Sequence, residues 1–322
     1  MSRRFLLKRV GIDLGGTNIA AGVVAENNKI IGTASIPTNL PKSAEAIADS
    51  ICEAAMLAIS NARISKDEIA SIGIGTPGAV NSNGVVEFSS NLGFDNTPLK
   101  KLIEDRFLKP AFIENDANCA ALGEKVAGSG KNTKDFIAVT LGTGVGGGII
   151  LDGKLLTGIN GAAGEIGHMV IKPDGIPCPC GRNGCFEQYA STKALVRQAK
   201  DALTTDRAHI SKMWEFIEDD PKNINGEIVF QAAHDGDEIA LKVIDNFVEW
   251  LSLGIVNLIN IFQPEGICIG GGIAAQGDFI IKPLIERVEA KRYTKKSAKQ
   301  TRIYAATLGN DAGIIGAALL GE

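Results

Sequence analysis

The chain has 322 residues, 45% of them hydrophobic and 22% charged, with a formal net charge of −4. That length allows two domains with ordinary cores, and the slightly acidic balance gives no electrostatic reason to expect nucleic acid or an anionic membrane as partner. No segment reaches the length of a membrane span. In the opening "MSRRFLLKRV", Lys8 and Arg9 cut the apolar run short and no small-residue cleavage site follows, so a cytoplasmic location is expected.

Taken in chain order, "RVGIDLGGTNIAAGVVAENNKII" reads as strand, glycine turn, strand, Asn-Asn turn, strand. "SAEAIADSICEAAMLAIS" has apolar residues at helical spacing behind a serine start. "IASIGIGTPGAV" is a buried strand ending in a Gly-Thr-Pro-Gly turn. "TPLKKLIEDRF" is helical, "PAFIENDA" is a strand, and "ANCAALGEKVAG" is the helix leaving it.

The pattern then restarts. "FIAVTLGTGVGGGIILDGKLL" is again strand, glycine turn, strand, Asp-Gly turn, strand, which is how a duplicated fold announces itself. Two helical stretches follow, "TKALVRQAKDAL" and "DEIALKVIDNFVEWLSLGIVNLINIF", and then the strand "GICIGGGIA" with a third glycine cluster. The end, "AATLGNDAGIIGAALL", is a turn and an apolar helix.

Two familiar phosphate motifs fail on context. Gly142-x-Gly144-x-x-Gly147 has dinucleotide spacing, but the chain continues into a strand instead of a helix, and Asp152 arrives too early for a ribose contact. "GSGKNT" would need glycine where Lys125 stands and Ser or Thr where Asn132 stands to be a Walker-type loop. What remains is two glycine hairpins, at 13–18 and 140–148, whose backbone N–H groups are free of side chains and suited to phosphate oxygens.

Asn115 and Asp116 sit at the C-terminal end of an apolar strand, where open α/β sheets bind ligands. Asp116 there is either a helix N-cap or a proton acceptor for phosphoryl transfer. His168, Cys178, Cys180 and Cys185 form another constellation. Three thiols and an imidazole suit a tetrahedral structural zinc site. Reduced structural thiols and a redox pair are the alternatives, but neither accounts for a cysteine trio among Pro179, Gly181 and Gly184. Cys52, Cys119 and Cys268 stand alone in apolar surroundings and read as small buried hydrophobes.

"GIDLGGTN", "TLGTGVGGG" and "GGGIA" resemble the phosphate-1, phosphate-2 and adenosine segments of the actin/hexokinase superfamily. From Val10 to Leu320 the chain is similar to the ROK family, and within it to the bacterial glucokinases. The resemblance implies an α/β, two-domain actin/hexokinase-like (ribonuclease H-like) fold with a ligand cleft between domains. The small domain is expected at 1–116 plus 310–322, the large one with the zinc loop at 117–309, and a hinge near Asn115 to Asn118. It implies ATP, Mg²⁺ and structural Zn²⁺ as cofactors, and phosphorylation of glucose to glucose 6-phosphate.

Residue by residue, the resemblance makes Asp116 the general base and Asn115 a sugar ligand. Asp13 acts on Mg²⁺ and phosphates electrostatically, though by itself it reads as a turn aspartate. Gly15, Gly16, Thr17, Asn18, Gly142, Thr143, Gly144, Gly271 and Gly272 hold the nucleotide. His168, Cys178, Cys180 and Cys185 match the family's zinc motif, with Glu165, His168 and Glu187 on the sugar hydroxyls, joined by Gly78 and Asn91. The family also contains repressors with an N-terminal helix-turn-helix; because this chain starts at its first strand, the kinase branch is expected. Rival readings are a kinase for N-acetylmannosamine, N-acetylglucosamine, mannose or fructose, a polyphosphate-using kinase, and a non-catalytic sugar sensor. The resemblance further implies a homodimer or homotetramer.

Overall fold

The computed structural model describes residues 8–89 and 91–321. Residues 1–7 of the basic start, and Ser90 of the "SSNLGF" segment, lie outside them. The chain opens with β1 (Lys8–Leu14), β2 (Asn18–Val24) and β3 (Ile30–Pro37), an antiparallel meander joined by the two short turns read from the sequence. Helix α1 (Ala44–Asn61) starts at Ser43, whose hydroxyl accepts from the Ala46 N–H at 3.2 Å and so satisfies one orphan donor of the first turn. Next come β4 (Ile69–Thr76), the short β5 (Ala79–Val80), β6 (Val86–Ser89) and β7 (Phe94–Thr97), then α2 (Leu99–Phe107), β8 (Ala111–Asn115) and α3 (Asp116–Val126).

The second half runs β9 (Phe136–Leu141), β10 (Val145–Leu151), β11 (Lys154–Leu155), α4 (Glu187–Ala190), α5 (Thr192–Thr205), α6 (Met213–Phe216), α7 (Gly226–His234) and α8 (Glu238–Phe262). It ends with β12 (Gly266–Gly270), α9 (Asp278–Lys291), β13 (Arg302–Ala305) and α10 (Asp311–Ala318). Among the described residues no helix is long and apolar enough to cross a membrane.

The two large sheets share one plan. The first has strand order β3-β2-β1-β4-β8 and the second β11-β10-β9-β12-β13, so the restart of the sequence pattern at Phe136 is a restart of topology. In both, the central strand runs directly into a glycine hairpin. The small sheet β5-β6-β7 was not anticipated, because its strands are only two to four residues long and too short to show a period. Nor was α9, whose apolar spacing is interrupted by Pro283.

Two compact units follow from the packing: residues 1–138, 147–164 and 306–322, and residues 139–146 and 165–305. The sequence reading put boundaries at 116/117 and 309/310 with a hinge near Asn115 to Asn118, whereas the chain passes from one compact unit to the other at 138/139, 146/147, 164/165 and 305/306. The difference arises because α3 belongs with α10. A Cβ on Gly123 would fall 2.1 Å from the Ala312 carbonyl oxygen, and one on Gly316 would fall 1.7 Å from that of Cys119. The two helices therefore cross backbone to backbone, as small residues permit.

In the first unit, α10 also lies directly on the sheet, with its Ile314 and Ala317 carbonyls over Gly11 of β1 and Gly73 of β4. The main core of that unit packs α1 and α2 with the buried side chains of β1, β2, β4 and β8, including Ile12, Leu14, Ile51, Ile74 and Phe107.

Candidate functional site

The first unit builds an acid corner. Asp13 lies near the end of β1, paired on either side with Ala20 of β2 and Gly75 of β4. Its carboxyl is pushed up from 3.8 to about 6, first by burial and then by the negative charge of Asp116. Gly313 of α10 faces it, and a Cβ there would lie 3.4 Å from the carboxyl. Asp116 opens α3 at the C-terminal end of β8, and burial raises its pKa against the lowering effect of a 2.8 Å bond from the Ala117 N–H.

The N-cap of α3 is Asn115. Its Oδ1 accepts from the N–H groups of Ala117 at 2.9 Å and Asn118 at 3.2 Å. The amide of Asn115 also donates to the Gly78 carbonyl at 3.2 Å, so both ends of this side chain are engaged within the protein. Gly78 itself has φ +109°, with Phe88 O only 2.1 Å from where a Cβ would sit. Among the described residues no hydrogen bond joins Asn91 to this corner; it is exposed in the turn between β6 and β7.

Beside the acids stands the first glycine hairpin. It closes with Gly15 N–H to Asn18 O at 2.9 Å, and Thr38 braces it, donating its hydroxyl to Gly15 O at 2.7 Å and its N–H to Thr17 O at 2.8 Å. Gly16, Thr17 and Asn18 are exposed. Asp13, Gly15, Asn18, Asn310 and Asp311 line an open cavity of ≈ 620 Å³.

The second unit carries the matching hairpin, closed by Gly142 N–H to Gly144 O at 3.0 Å, with Gly142 and Thr143 exposed. Gly271, at φ +88°, leaves β12 against the backbone of Leu141, where a Cβ would be 2.2 Å from the carbonyl oxygen. Gly272 beside it is exposed and open.

The same unit gathers His168, Cys178, Cys180 and Cys185, whose ligand atoms all lie within 4.8 Å of one another. Cys180 Sγ is 3.5 Å from Cys185 Sγ, and Cys178 Sγ is 3.7 Å from His168 Nδ1. A tetrahedral ion with Zn–S near 2.3 Å has ligand–ligand edges of about 3.7 Å, so the donor set fits zinc. The Arg182 backbone N–H holds the Cys180 thiol down to about 6, whereas burial pushes Cys178 up to about 12 and Cys185 up from its ordinary value. The loop folds on itself through Cys178 N–H to Arg182 O at 2.8 Å and Gly184 N–H to Ile176 O at 2.8 Å. It is mostly polar and glycine-rich, with little apolar material to hold it otherwise.

Glu165 is exposed, just before a 3-10 turn over Ile166–His168. Glu187 opens α4 with Oε1 3.1 Å from Cys178 Sγ and 3.8 Å from His168 Nδ1. His168 thus turns Nδ1 towards the cluster.

Sequence reasoning overlooked Asn118 and Glu114 beside the acid corner, and Glu124 near the other end of α3. Asn118 is 1% exposed and donates to Glu114 Oε1 at 3.0 Å, which also takes the Asn115 N–H at 2.8 Å. Glu124, 2% exposed, accepts from Ser129, Thr307 and Leu308 through N–H bonds of 2.7–2.8 Å and from two hydroxyls. An acid on the apolar face of "ANCAALGEKV" was the clue to Glu124; Asn118 gave none.

The profile of the ROK family matches residues 9–322. The chain belongs to the ROK family. A glucokinase of Streptomyces coelicolor is 39% identical over 310 residues, covering 96% of each chain. Among solved structures, a ROK family glucokinase from Streptomyces griseus in complex with glucose and AMPPNP superposes with a TM-score of 0.84 at 36% identity, covering 97% of this chain and 98% of that one. A ROK hexokinase from Thermus thermophilus does so with a TM-score of 0.80 at 31% identity and 97% of each chain. With such ROK relatives the fold is actin/hexokinase-like, as the duplicated sheets already indicate.

Proposed function

We propose that this ROK protein is a hexokinase-type kinase that moves the γ-phosphoryl group of ATP to glucose, giving glucose 6-phosphate and ADP. The observation that carries the reading is the corner at β8 and α3: because Asn115 caps the helix, Asp116 is left to act as a base. The similarity to glucokinases along nearly the whole chain supports the substrate.

Asp116 takes the proton from the sugar 6-hydroxyl as that oxygen attacks the γ-phosphorus and the bond to the β-phosphate oxygen breaks. A carboxylate whose pKa is raised by burial is a better proton acceptor than one in water, and such a base contributes about 10²- to 10⁴-fold in rate. The hairpins at 15–18 and 142–144 offer backbone N–H groups to the phosphates, Gly272 leaves room for the nucleoside, and Gly271 lets the chain turn against the Leu141 backbone beside it. Asp13 would hold Mg²⁺ through water, and the ion supplies charge neutralisation for the transferred group.

His168, Cys178, Cys180 and Cys185 would hold Zn²⁺, which supplies a fixed centre for a loop that cannot pack itself. With Nδ1 turned to the cluster, His168 presents Nε2 to the sugar, and Glu165 and Glu187 accept from its hydroxyls.

The test is ADP release with ATP and Mg²⁺ against glucose, mannose, fructose and the two N-acetylhexosamines. Preference for glucose is the expected result. Preference for an N-acetylated sugar keeps the chemistry and overturns the substrate, while binding of glucose with no turnover on any sugar overturns the kinase reading in favour of a sensor.

A further inference from the structure

Three separate contacts converge on the second glycine hairpin, and all come from the segment that carries the thiol–imidazole cluster. The N–H of Thr192, the first residue of α5, donates to the Gly142 carbonyl at 2.8 Å. Glu187 reaches Gly144 with its other oxygen: a Cβ on Gly144 would be 2.7 Å from Oε2. Gly167, inside the turn that presents His168, lies against Val145, where a Cβ would be 2.1 Å from the carbonyl oxygen. Four consecutive hairpin residues, 142 to 145, are therefore gripped at three of their positions. Two of the gripping residues are tied to the cluster directly, Gly167 being next to His168 and Glu187 touching Cys178, and Thr192 follows Glu187 in the chain by one short helix, α4.

We propose that the cluster positions the nucleotide-phosphate hairpin as well as the sugar ligands, so that nucleotide affinity depends on the metal; this rests on the kinase reading above. Thr192, Glu187 and Gly167 are the positioning residues. Thr192 fixes the carbonyl of the hairpin's first glycine. The Glu187 carboxylate lies against Gly144, where a Cβ would be 2.7 Å from Oε2. Gly167 brings the His168 turn within contact of the strand that leaves the hairpin. The contacts reach only backbone on the hairpin side, so they set where its N–H groups lie without touching a ligand.

The experiment measures AMPPNP and glucose affinity by titration calorimetry on zinc-loaded protein, on chelator-stripped protein and on Thr192→Pro. Proline is tolerated at the first position of a helix, so this substitution removes the N–H donated to Gly142 while leaving α5 able to form. One backbone hydrogen bond corresponds to about two- to tenfold in an equilibrium. The expected result for Thr192→Pro with zinc bound is a several-fold weaker AMPPNP affinity with glucose affinity within twofold of wild type. Stripping zinc is expected to weaken both ligands, with circular dichroism verifying that the helices persist.

Unchanged AMPPNP affinity in Thr192→Pro, or in folded stripped protein that has lost glucose affinity, overturns the coupling while the kinase reading stands. Zinc-loaded wild type that binds no nucleotide overturns the phosphate assignment and the coupling with it.

Discussion

The hairpin at 15–18 is secured by its own sheet, whereas the hairpin at 142–144 is secured from outside its sheet. In the first copy, β3 runs for 8 residues and delivers Thr38 to both flanks of the turn, through Gly15 O and Thr17 O. In the second copy the corresponding strand, β11, has 2 residues and the chain then leaves for the cluster. The bracing that a neighbouring strand gives in one copy comes from Thr192, Glu187 and Gly167 in the other. A duplicated scaffold can thus keep its strand order while the means of holding the same turn diverges. Hydrogen bonds of a continuous sheet suffice in the first case, and the loop that carries His168 and the three cysteines does the work in the second.

The largest way to break this comparison is to remove one of the three clustered cysteines, which are proposed to hold zinc. Cys185→Ser should lower metal content well below about one zinc per chain, measured by atomic absorption. Stability should fall by several kcal/mol, below the roughly 10–16 kcal/mol of small zinc peptides because a buried core remains. Hydrogen exchange should accelerate across 142–145 and 165–192 while amides of β1 and β2 keep their protection. Equal acceleration in both hairpins would show that they are not held independently.

A smaller effect is expected in the first unit, where Glu124 ties the chain after α3 to the segment entering α10. Glu124→Ala strands three N–H donors and two hydroxyls, and should cost about 3 kcal/mol in urea unfolding without altering zinc content. A loss below about 0.5 kcal/mol would mean water replaces the carboxylate.

Asp13 sharpens the contrast through pH. A carboxyl raised from 3.8 to about 6 binds its proton more tightly in the folded chain than in the unfolded one. Stability present below pH 3.8 is therefore lost as pH rises towards about 6, and stays lost above it. Asp13→Asn should remove that slope and gain about 1–3 kcal/mol at pH 7.5, while turnover falls because the charge proposed to face Mg²⁺ is gone. A denaturation midpoint that does not change between pH 4 and 7 in either protein would contradict the burial argument.

Much of this was readable in advance, for identifiable reasons. The glycine clusters and the Cys178–Cys185 run are chemically conspicuous, and the period-2 strands and 3.6-period helices flanking them gave the order of β1 to β4 and β9 to β11 without coordinates. The segments that stayed illegible either lacked a period, as in β5 to β7, or broke one, as Pro283 does in α9. The packing of α3 on α10 was not legible because the glycines at 123 and 316, which let the two helices cross, are 193 positions apart in a chain with 38 glycines. Asp116 could be read two ways from sequence, as cap or base; only the hydrogen bonds of Asn115 showed which residue caps the helix.

The most direct measurement is made on one preparation of Asp116→Asn: glucose affinity by calorimetry and phosphoryl transfer by ADP release. The expected result is a glucose dissociation constant within about threefold of wild type and turnover lower by about 10²- to 10⁴-fold. Turnover within tenfold of wild type would contradict the assignment of Asp116 as the base.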